Sequence, residues 1–174
     1  MTRTRDVATQ GGLVLISSTN FSAVTTVSID NCFSSAYNNY KIIINTTSGT
    51  GGTGGNITWQ SRNAGTTDTS SVYSYVGILN VSTSSTATSE ISQPSGFLGR
   101  AAIDSNAWAQ CSLEVFSPFL AQYTGIISAN MGVSGGADAY ANVQSRRRTA
   151  TSHDGISFTF GNSSIGTIRV YGYK

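Results

Sequence analysis

The segment Ile165-Gly-Thr-Ile-Arg-Val-Tyr-Gly-Tyr173 is the clearest indication of the fold. Its residues alternate as those of a half-buried β-strand do. Ile168 and Val170 point to one face, and Arg169 and Tyr171 to the other. A strand at the end of a chain is ordered only when a sheet holds it. We therefore expect it to close the fold, with Ile168 and Val170 in the core. We expect Arg169 and Tyr171 to face a second layer or a neighbouring subunit.

The composition of the whole chain favours strands over helices. Of the 174 residues 39% are hydrophobic and only 10% are charged, and the sequence is rich in Gly, Ser, Thr and Asn. Exposed faces of helices usually carry many Glu, Lys and Arg, whereas Ser and Thr suit the exposed faces of strands. The apolar residues fall in short alternating runs, which argues against disorder.

Ten short alternating segments predict an antiparallel β-sandwich of jelly-roll type. No helical pattern separates them, and turn residues recur about every ten positions. The predicted strands are 13–17, 24–29, 40–45, 56–62, 71–79, 109–116, 124–131, 139–147, 156–160 and 165–173. The segment 40–45 is nearly continuously apolar, which is typical of a strand buried on both faces.

The remaining segments predict an arm and two long loops. Residues 1–10 have no apolar period and are expected to form an extended N-terminal arm, with 11–174 as a single β-sandwich domain. Residues 46–55 and 80–107 are polar and predict loops. A loop as long as 80–107 is usually functional.

Charge and targeting patterns exclude several classes of function. The net charge of +2 is too small to indicate binding to nucleic acid or to a membrane, and no apolar run has the length of a membrane span. The N-terminus lacks the apolar region of a secretory signal. We expect synthesis in a cytoplasm.

No set of residues predicts catalysis or a cofactor. Cys32 and Cys111 have no metal-binding spacing and are expected to be buried thiols, since they are made in a reducing compartment. The one histidine, His153, lies in a predicted turn and is expected to be exposed. The few carboxylates include Glu90, Glu114 and Asp104, which form no evident acid–base pair. We expect a non-enzymatic protein without a cofactor.

Three acidic residues lie in polar loops and are weak candidates for calcium ligands. They are Asp68, Asp104 and Asp138, and no EF-hand pattern accompanies them.

Two groups of residues are candidates for partner contacts. Tyr73 and Tyr75 share a face of one predicted strand, where their rings either stack on a glycan or pack in the core or between subunits. Arg146, Arg147 and Arg148 form the densest charge. They either dock an acidic partner or a sulfated or phosphorylated glycan, or protect an edge strand from aggregation.

The ends of the chain resemble a known class of domain. The strand Gly166-Thr-Ile-Arg-Val-Tyr-Gly-Tyr173, paired with Gly11-Gly-Leu-Val-Leu-Ile16, is similar to the β-sandwich domains of tailed-phage virion proteins. These domains occur in head decoration (cement) proteins and at the tips of tail fibres. A looser likeness covers Ala36-Tyr-Asn-Asn-Tyr-Lys-Ile-Ile-Ile44.

The resemblance implies a structural role in a phage particle. The first expectation is a homotrimeric decoration protein that binds the major capsid protein on the outer head surface, with Arg3, Arg5 and Asp6 of the arm as the contact. The alternative is a tail-fibre or adhesin-like domain that recognises host surface glycans through Tyr73, Tyr75 and the 80–107 segment. Both place the protein in the virion.

Overall fold

The computed structural model describes residues 12–50, 55–82, 84–100, 108–134 and 137–174. Within these ranges the chain forms eleven strands. They are β1 (Leu13–Ile29), β2 (Asn39–Thr50), β3 (Asn56–Asn63), β4 (Thr66–Thr67), β5 (Tyr73–Val81), β6 (Ser84–Gln93), β7 (Gly96–Arg100), β8 (Ala109–Phe116), β9 (Thr124–Ser134), β10 (Ala137–Arg147) and β11 (Gly155–Tyr173). No helix in this part of the chain is long and apolar enough to cross a membrane. The predicted arm lies outside the described residues.

The strands form one antiparallel sheet that curls on itself. Its order is β4-β3-β11-β2-β8-β9-β10-β5-β6, with β1 also paired to β11 and β7 to β3. Strand β3 meets the inner face of β10, where Trp59 Nε1 donates to Ser145 Oγ at 2.8 Å. The two ends of the sheet therefore face each other as the layers of a sandwich do. The predicted all-β antiparallel fold class is confirmed.

The closing strand lies where the sequence predicts. Strand β11 pairs with β1 from Leu13↔Tyr173 to Ile29↔Ile156, and with β2 on its other side. Ile168 and Val170 are completely buried, which confirms their place in the core.

Strands β1 and β11 are each one long strand rather than the two short ones predicted. The pairing shifts register between Phe21 and Val24, and Ala23 between them has a φ of 53°. This irregularity replaces the turn that the sequence suggested there, because a bulge bends a strand without ending its pairing. The break expected between Phe160 and Ile165 is likewise absent from the described β11.

Two predicted loops are strands. Residues 46–50 continue β2, and the 80–107 segment contains β6 and β7. Strand β6 is a mostly exposed edge strand, so it has no apolar alternation that could reveal it. The prediction that β2 is buried on both faces is wrong, because Ile42 and Ile44 are fully buried whereas Ile43 is only half-buried.

The main core lies between the layers and contains Ile168 and Val170, as predicted. Its largest fully buried side chains include Trp59, Tyr40, Tyr73, Phe158, Phe160, Ile42, Ile44, Ile57 and Leu113. Burying each of these side chains stabilises the fold by about 1.5–3 kcal/mol relative to exposure.

Candidate functional site

Tyr73 belongs to the core, which corrects its predicted role as a ligand contact. Its side chain is fully buried, and its ring stacks edge-on against Trp59 with centroids 5.1 Å apart. Its hydroxyl accepts from Ser61 N at 3.0 Å and donates to Asp68 O at 3.1 Å. Burial raises the pKa of this phenol. No face of the ring is open to a glycan.

Tyr75 is half-buried and lies at the wall of a surface groove. Its ring centroid is 5.5 Å from that of Phe97. The pairing of β5 with β6 shifts register between Tyr73 and Tyr75. Because Tyr73 is buried, the two tyrosines do not form the predicted stacking platform.

The three arginines divide between the inside and the outside of the sheet. Arg147 is buried and forms an ion pair with Asp68, at 2.8 Å between Nε and Oδ2, which excludes it from surface binding. Arg146 and Arg148 are exposed, and Arg146 Nε donates to Ser74 Oγ at 3.2 Å. The hypothesis of edge protection is wrong for Arg146, because β10 lies between β9 and β5.

Asp68 and Asp138, the two calcium candidates within the described residues, lie at opposite ends of β10 and are not brought together. Hydrogen bonds from Ser70 and the nearby Arg147 lower the pKa of Asp68, although burial by itself would raise it. Asp104 lies outside the described residues. Among the described residues no group of three His, Cys, Asp or Glu side chains is placed to hold a metal ion.

His153 is buried, not exposed as predicted. Its backbone N–H donates to Pro118 O at 2.8 Å, and this bond holds the turn that contains His153 against the segment after β8. No described residue hydrogen-bonds its Nε2. Burial, together with the neighbouring Arg147, lowers the pKa of His153 to about 4.

The contact arm predicted at Arg3, Arg5 and Asp6 lies outside the described residues. Cys32 and Cys111 are buried free thiols, as expected. Burial raises the pKa of each to about 12.

The inner face of β9 carries the polar residues Ser128 and Asn130 beside the core residue Ile126, and its outer face carries exposed apolar residues. Ser128 and Asn130 are buried, whereas Ile127 and Met131 are 48% and 51% exposed. The inner polar groups bind the backbone of β7: Ser128 Oγ donates to Leu98 O at 2.8 Å, and Asn130 Nδ2 donates to Arg100 O at 2.8 Å. These hydrogen bonds explain why Ser128 and Asn130 are buried. They do not explain why Ile127 and Met131 are exposed.

The strand register extends this apolar surface across the sheet. Gln144 of β10 pairs with Ile127 of β9 and with Val76 of β5, so the three side chains stand in one row on the outer face. Ile78 occupies the next row. Val76 and Ile78 are both more than half exposed. The sequence indicates an apolar face of β9 through the apolar residue at every second position. This alternation alone does not show whether that face points to the core or to solvent.

Two grooves lie on this outer face. The first, which we call the Arg146 groove, has a volume of about 730 Å³. It lies between β6 and β8, over β5, β10 and β9, and its walls include Tyr75, Val76, Glu90, Phe116, Ile127 and Arg146. The groove therefore has an apolar strip with one anionic side chain, Glu90, and one cationic side chain, Arg146, beside it.

The second groove, which we call the Trp108 groove, has a volume of about 640 Å³. It lies at the opposite end of the same strands and is lined by residues that include Trp108, Met131, Tyr140, Asn80, Asp138 and Ser85. Trp108 and Tyr140 are 46% and 45% exposed. No pattern in the sequence indicates that these two aromatic residues face solvent.

Comparisons with known proteins add three distant structural likenesses. No family model and no curated protein matches the chain. A CBM40 module of Ruminococcus gnavus IT-sialidase, bound to α2,3-sialyllactose, is 10% identical over 91% of this chain and 92% of that chain, with a TM-score of 0.35. The CBM2 module of the evolved Dit of Lactobacillus casei BL23 phage J-1 is 9% identical over 85% of this chain and 68% of that chain, with a TM-score of 0.26.

The GH43 protein BlXynB of Bacillus licheniformis is 6% identical over 79% of this chain and 28% of that chain, with a TM-score of 0.26. Because all three TM-scores are below 0.5, these likenesses carry no argument about what this chain binds or does.

Proposed function

We propose that the protein is a non-enzymatic structural subunit of a tailed-phage particle, a decoration protein that binds the outer surface of the head as a homotrimer. The observation that carries this proposal is the apolar outer side of β9. Its outward Ile127 and Met131 share the outer face with Val76 and Ile78 of β5, on the other side of Gln144 and Asn142 of β10. Exposed apolar surface of this extent marks a place where another protein binds.

The phage assignment is supported by the ends of the chain. The sequence resemblance rests on a terminal strand paired with an early strand, and β11 pairs with β1 in this way. The capsid contact proposed for Arg3, Arg5 and Asp6 rests on the same resemblance. A trimer repeats each weak subunit contact three times, so that avidity holds it on a lattice.

The proposed occupant of the Arg146 groove is a second copy of this chain. Glu90 and Arg146 line the same apolar strip, so opposite charges are available to pair across copies. The Glu90 carboxylate accepts only from Gln93 Nε2, at 3.3 Å, among the described residues. The guanidinium of Arg146 is likewise held only through Nε, to Ser74. Both charged groups therefore keep bonding capacity for a partner.

The oligomeric state tests the proposal at this surface. Light scattering on the purified wild-type protein should give the mass of a trimer. Ile127→Asp, which places a charge in the apolar strip, should give a monomer with native β-sheet circular dichroism. Tyr123→Asp is the matched control, because Tyr123 is 58% exposed but lies outside both grooves, and it should remain trimeric.

Binding to particles tests the proposed location. Purified heads that lack this protein should bind the wild-type trimer, and deletion of residues 1–10 should abolish binding while the trimer persists. Binding to tails and not to heads would overturn the decoration role. A wild-type protein that stays monomeric would overturn the proposed interface.

A further inference from the structure

We infer that the Trp108 groove is a binding site for an uncharged oligosaccharide. This inference does not depend on the proposed decoration role, since it concerns the other groove of the outer face. It rests on two exposed aromatic side chains, on the polar groups beside them and on the sign of the charge nearby.

The Tyr140 side chain runs along β10 towards Asn142. Its hydroxyl accepts a hydrogen bond from Asn142 Nδ2, two residues further along the same face of β10. Two residues of a strand span about 6.6 Å, so the ring must lie along the strand to reach that amide. The Tyr140 side chain is 45% exposed, so part of its ring is open to a ligand. The hydrogen bond holds the ring before any ligand arrives.

Trp108 supplies the second aromatic surface. It directly precedes β8, and its carbonyl accepts from Val133 N of β9 at 3.1 Å, which fixes its backbone. Tyr140 lies on β10, two strand spacings from β8, which is roughly 10 Å. Met131 of β9 pairs with Tyr140 and lies between the two aromatic residues. A site of this span suits several sugar units better than one.

The polar groups of the groove match sugar hydroxyls. Asn80 pairs with Tyr140 across β5 and β10, and Asp138 lies one row away on β10. Neither the Asn80 amide nor the Asp138 carboxylate has a hydrogen-bond partner among the described residues. Sugar rings present C–H groups to an aromatic face and hydroxyls at their edge. Aromatic rings beside free amide and carboxylate groups bind both parts of such a ligand.

The charge of the groove selects against acidic sugars. Asp138 is the charged residue among its described lining, and no described Lys or Arg accompanies it. A sialylated or sulfated glycan would bring its own anion against this carboxylate. The Arg146 groove holds a cation beside its anion, so the two grooves make different predictions for the same ligands.

A glycan array of uncharged, sialylated and sulfated oligosaccharides provides the test. We expect wild-type protein to retain uncharged oligosaccharides, and Trp108→Ala and Tyr140→Ala each to weaken binding at least about tenfold. Tyr123→Ala is the control and should bind as wild type does. Both aromatic variants should keep the wild-type melting temperature, since both side chains are half exposed.

Fluorescence gives an independent measurement on the wild-type protein. Of the two tryptophans Trp59 is buried and Trp108 is exposed, so the ligand should protect only Trp108 from quenching by acrylamide. Absence of binding to every uncharged oligosaccharide at millimolar concentration would overturn the inference. It would also be overturned by binding that survives both aromatic substitutions, or by binding only to acidic glycans that Arg146→Ala abolishes.

Discussion

Arg147 and Asp68 form an ion pair inside the sandwich, although 79 residues separate them in sequence. Asp68 lies in the loop before β5, and the guanidinium of Arg147 also donates to Thr149 O at 2.9 Å. Next to the pair, Arg148 N donates to Val72 O at 2.8 Å. The pair therefore fastens the end of β10 to the start of β5, close to the buried Tyr73 and His153.

Removing one partner of this pair should destabilise the fold. Arg147→Met leaves the Asp68 carboxylate partly buried without its cation, and we expect the free energy of unfolding to fall by about 2–4 kcal/mol. Arg146→Met is the matched control and should change it by less than about 0.5 kcal/mol, because Arg146 is exposed. Urea unfolding measures both. Equal effects of the two variants would show that the ion pair contributes nothing specific.

The fold should lose stability in mild acid because of His153. Its ordinary pKa is 6.5, and in the folded protein burial lowers it to about 4. Between these values the unfolded chain binds a proton that the folded chain refuses, so the free energy of unfolding falls as pH falls from 6.5 to 4. After allowance for solvent screening the loss is about 1–2 kcal/mol.

The difference between wild type and His153→Phe, measured by urea unfolding at several pH values, isolates this contribution. The variant should lack the loss between pH 6.5 and 4. Titration of the His153 ring by NMR in the wild-type protein is the direct measurement, and a midpoint near 6.5 would contradict the prediction.

The sequence predicts the inner faces of the fold well because apolar alternation is a local property. The core positions of Ile168 and Val170 and the closing role of β11 are confirmed by burial and by strand pairing. Alternation fails for β6, an edge strand exposed on both faces, and for the bulges that extend β1 and β11. A bulge and a turn use similar residues, so local sequence does not separate them.

The candidate site is less predictable than the core. Its residues depend on which face of each strand points inward when the sheet curls. Tyr73 and Tyr75 alternate in the same way as Ile127 and Met131, yet Tyr73 is buried and Ile127 is exposed. The orientation of β9 follows from its polar contacts with β7, a strand about 30 residues away in sequence. That contact exists only in the folded chain.

The two cysteines should resist modification in the folded protein. Both are buried, and burial raises the pKa of each thiol to about 12, so hardly any thiolate forms at neutral pH. An aromatic disulfide reagent should therefore react with neither Cys32 nor Cys111 within minutes at pH 8, and with both in guanidinium chloride. Rapid reaction of one thiol in native buffer would show that its strand opens locally.

Gly96 should not tolerate a side chain. A Cβ at this position would lie 2.1 Å from Trp59 Nε1 and 2.3 Å from Ser145 Oγ, in the middle of the hydrogen bond that joins β3 to β10. We expect Gly96→Ala to cost about 1–3 kcal/mol of stability through overpacking. Gly125→Ala is the control, because its nearest contact would be Phe116 at 3.9 Å, and it should be nearly neutral. Thermal unfolding of the two variants measures this difference. Equal melting temperatures would contradict the prediction.

The two faces of β11 should differ sharply in their tolerance of truncation. Ile168 is fully buried between β1 and β2, so Ile168→Ala removes core contacts and leaves a cavity, at a cost of about 2–5 kcal/mol. Arg169 is half-buried on the opposite face, where its long side chain keeps contact with water, and Arg169→Ala should cost less than about 1 kcal/mol. Urea unfolding of both variants as monomers, in the Ile127→Asp background, separates folding from subunit association. A cost for Arg169→Ala equal to that for Ile168→Ala would mean that the outer face of β11 is covered by a second layer of this chain.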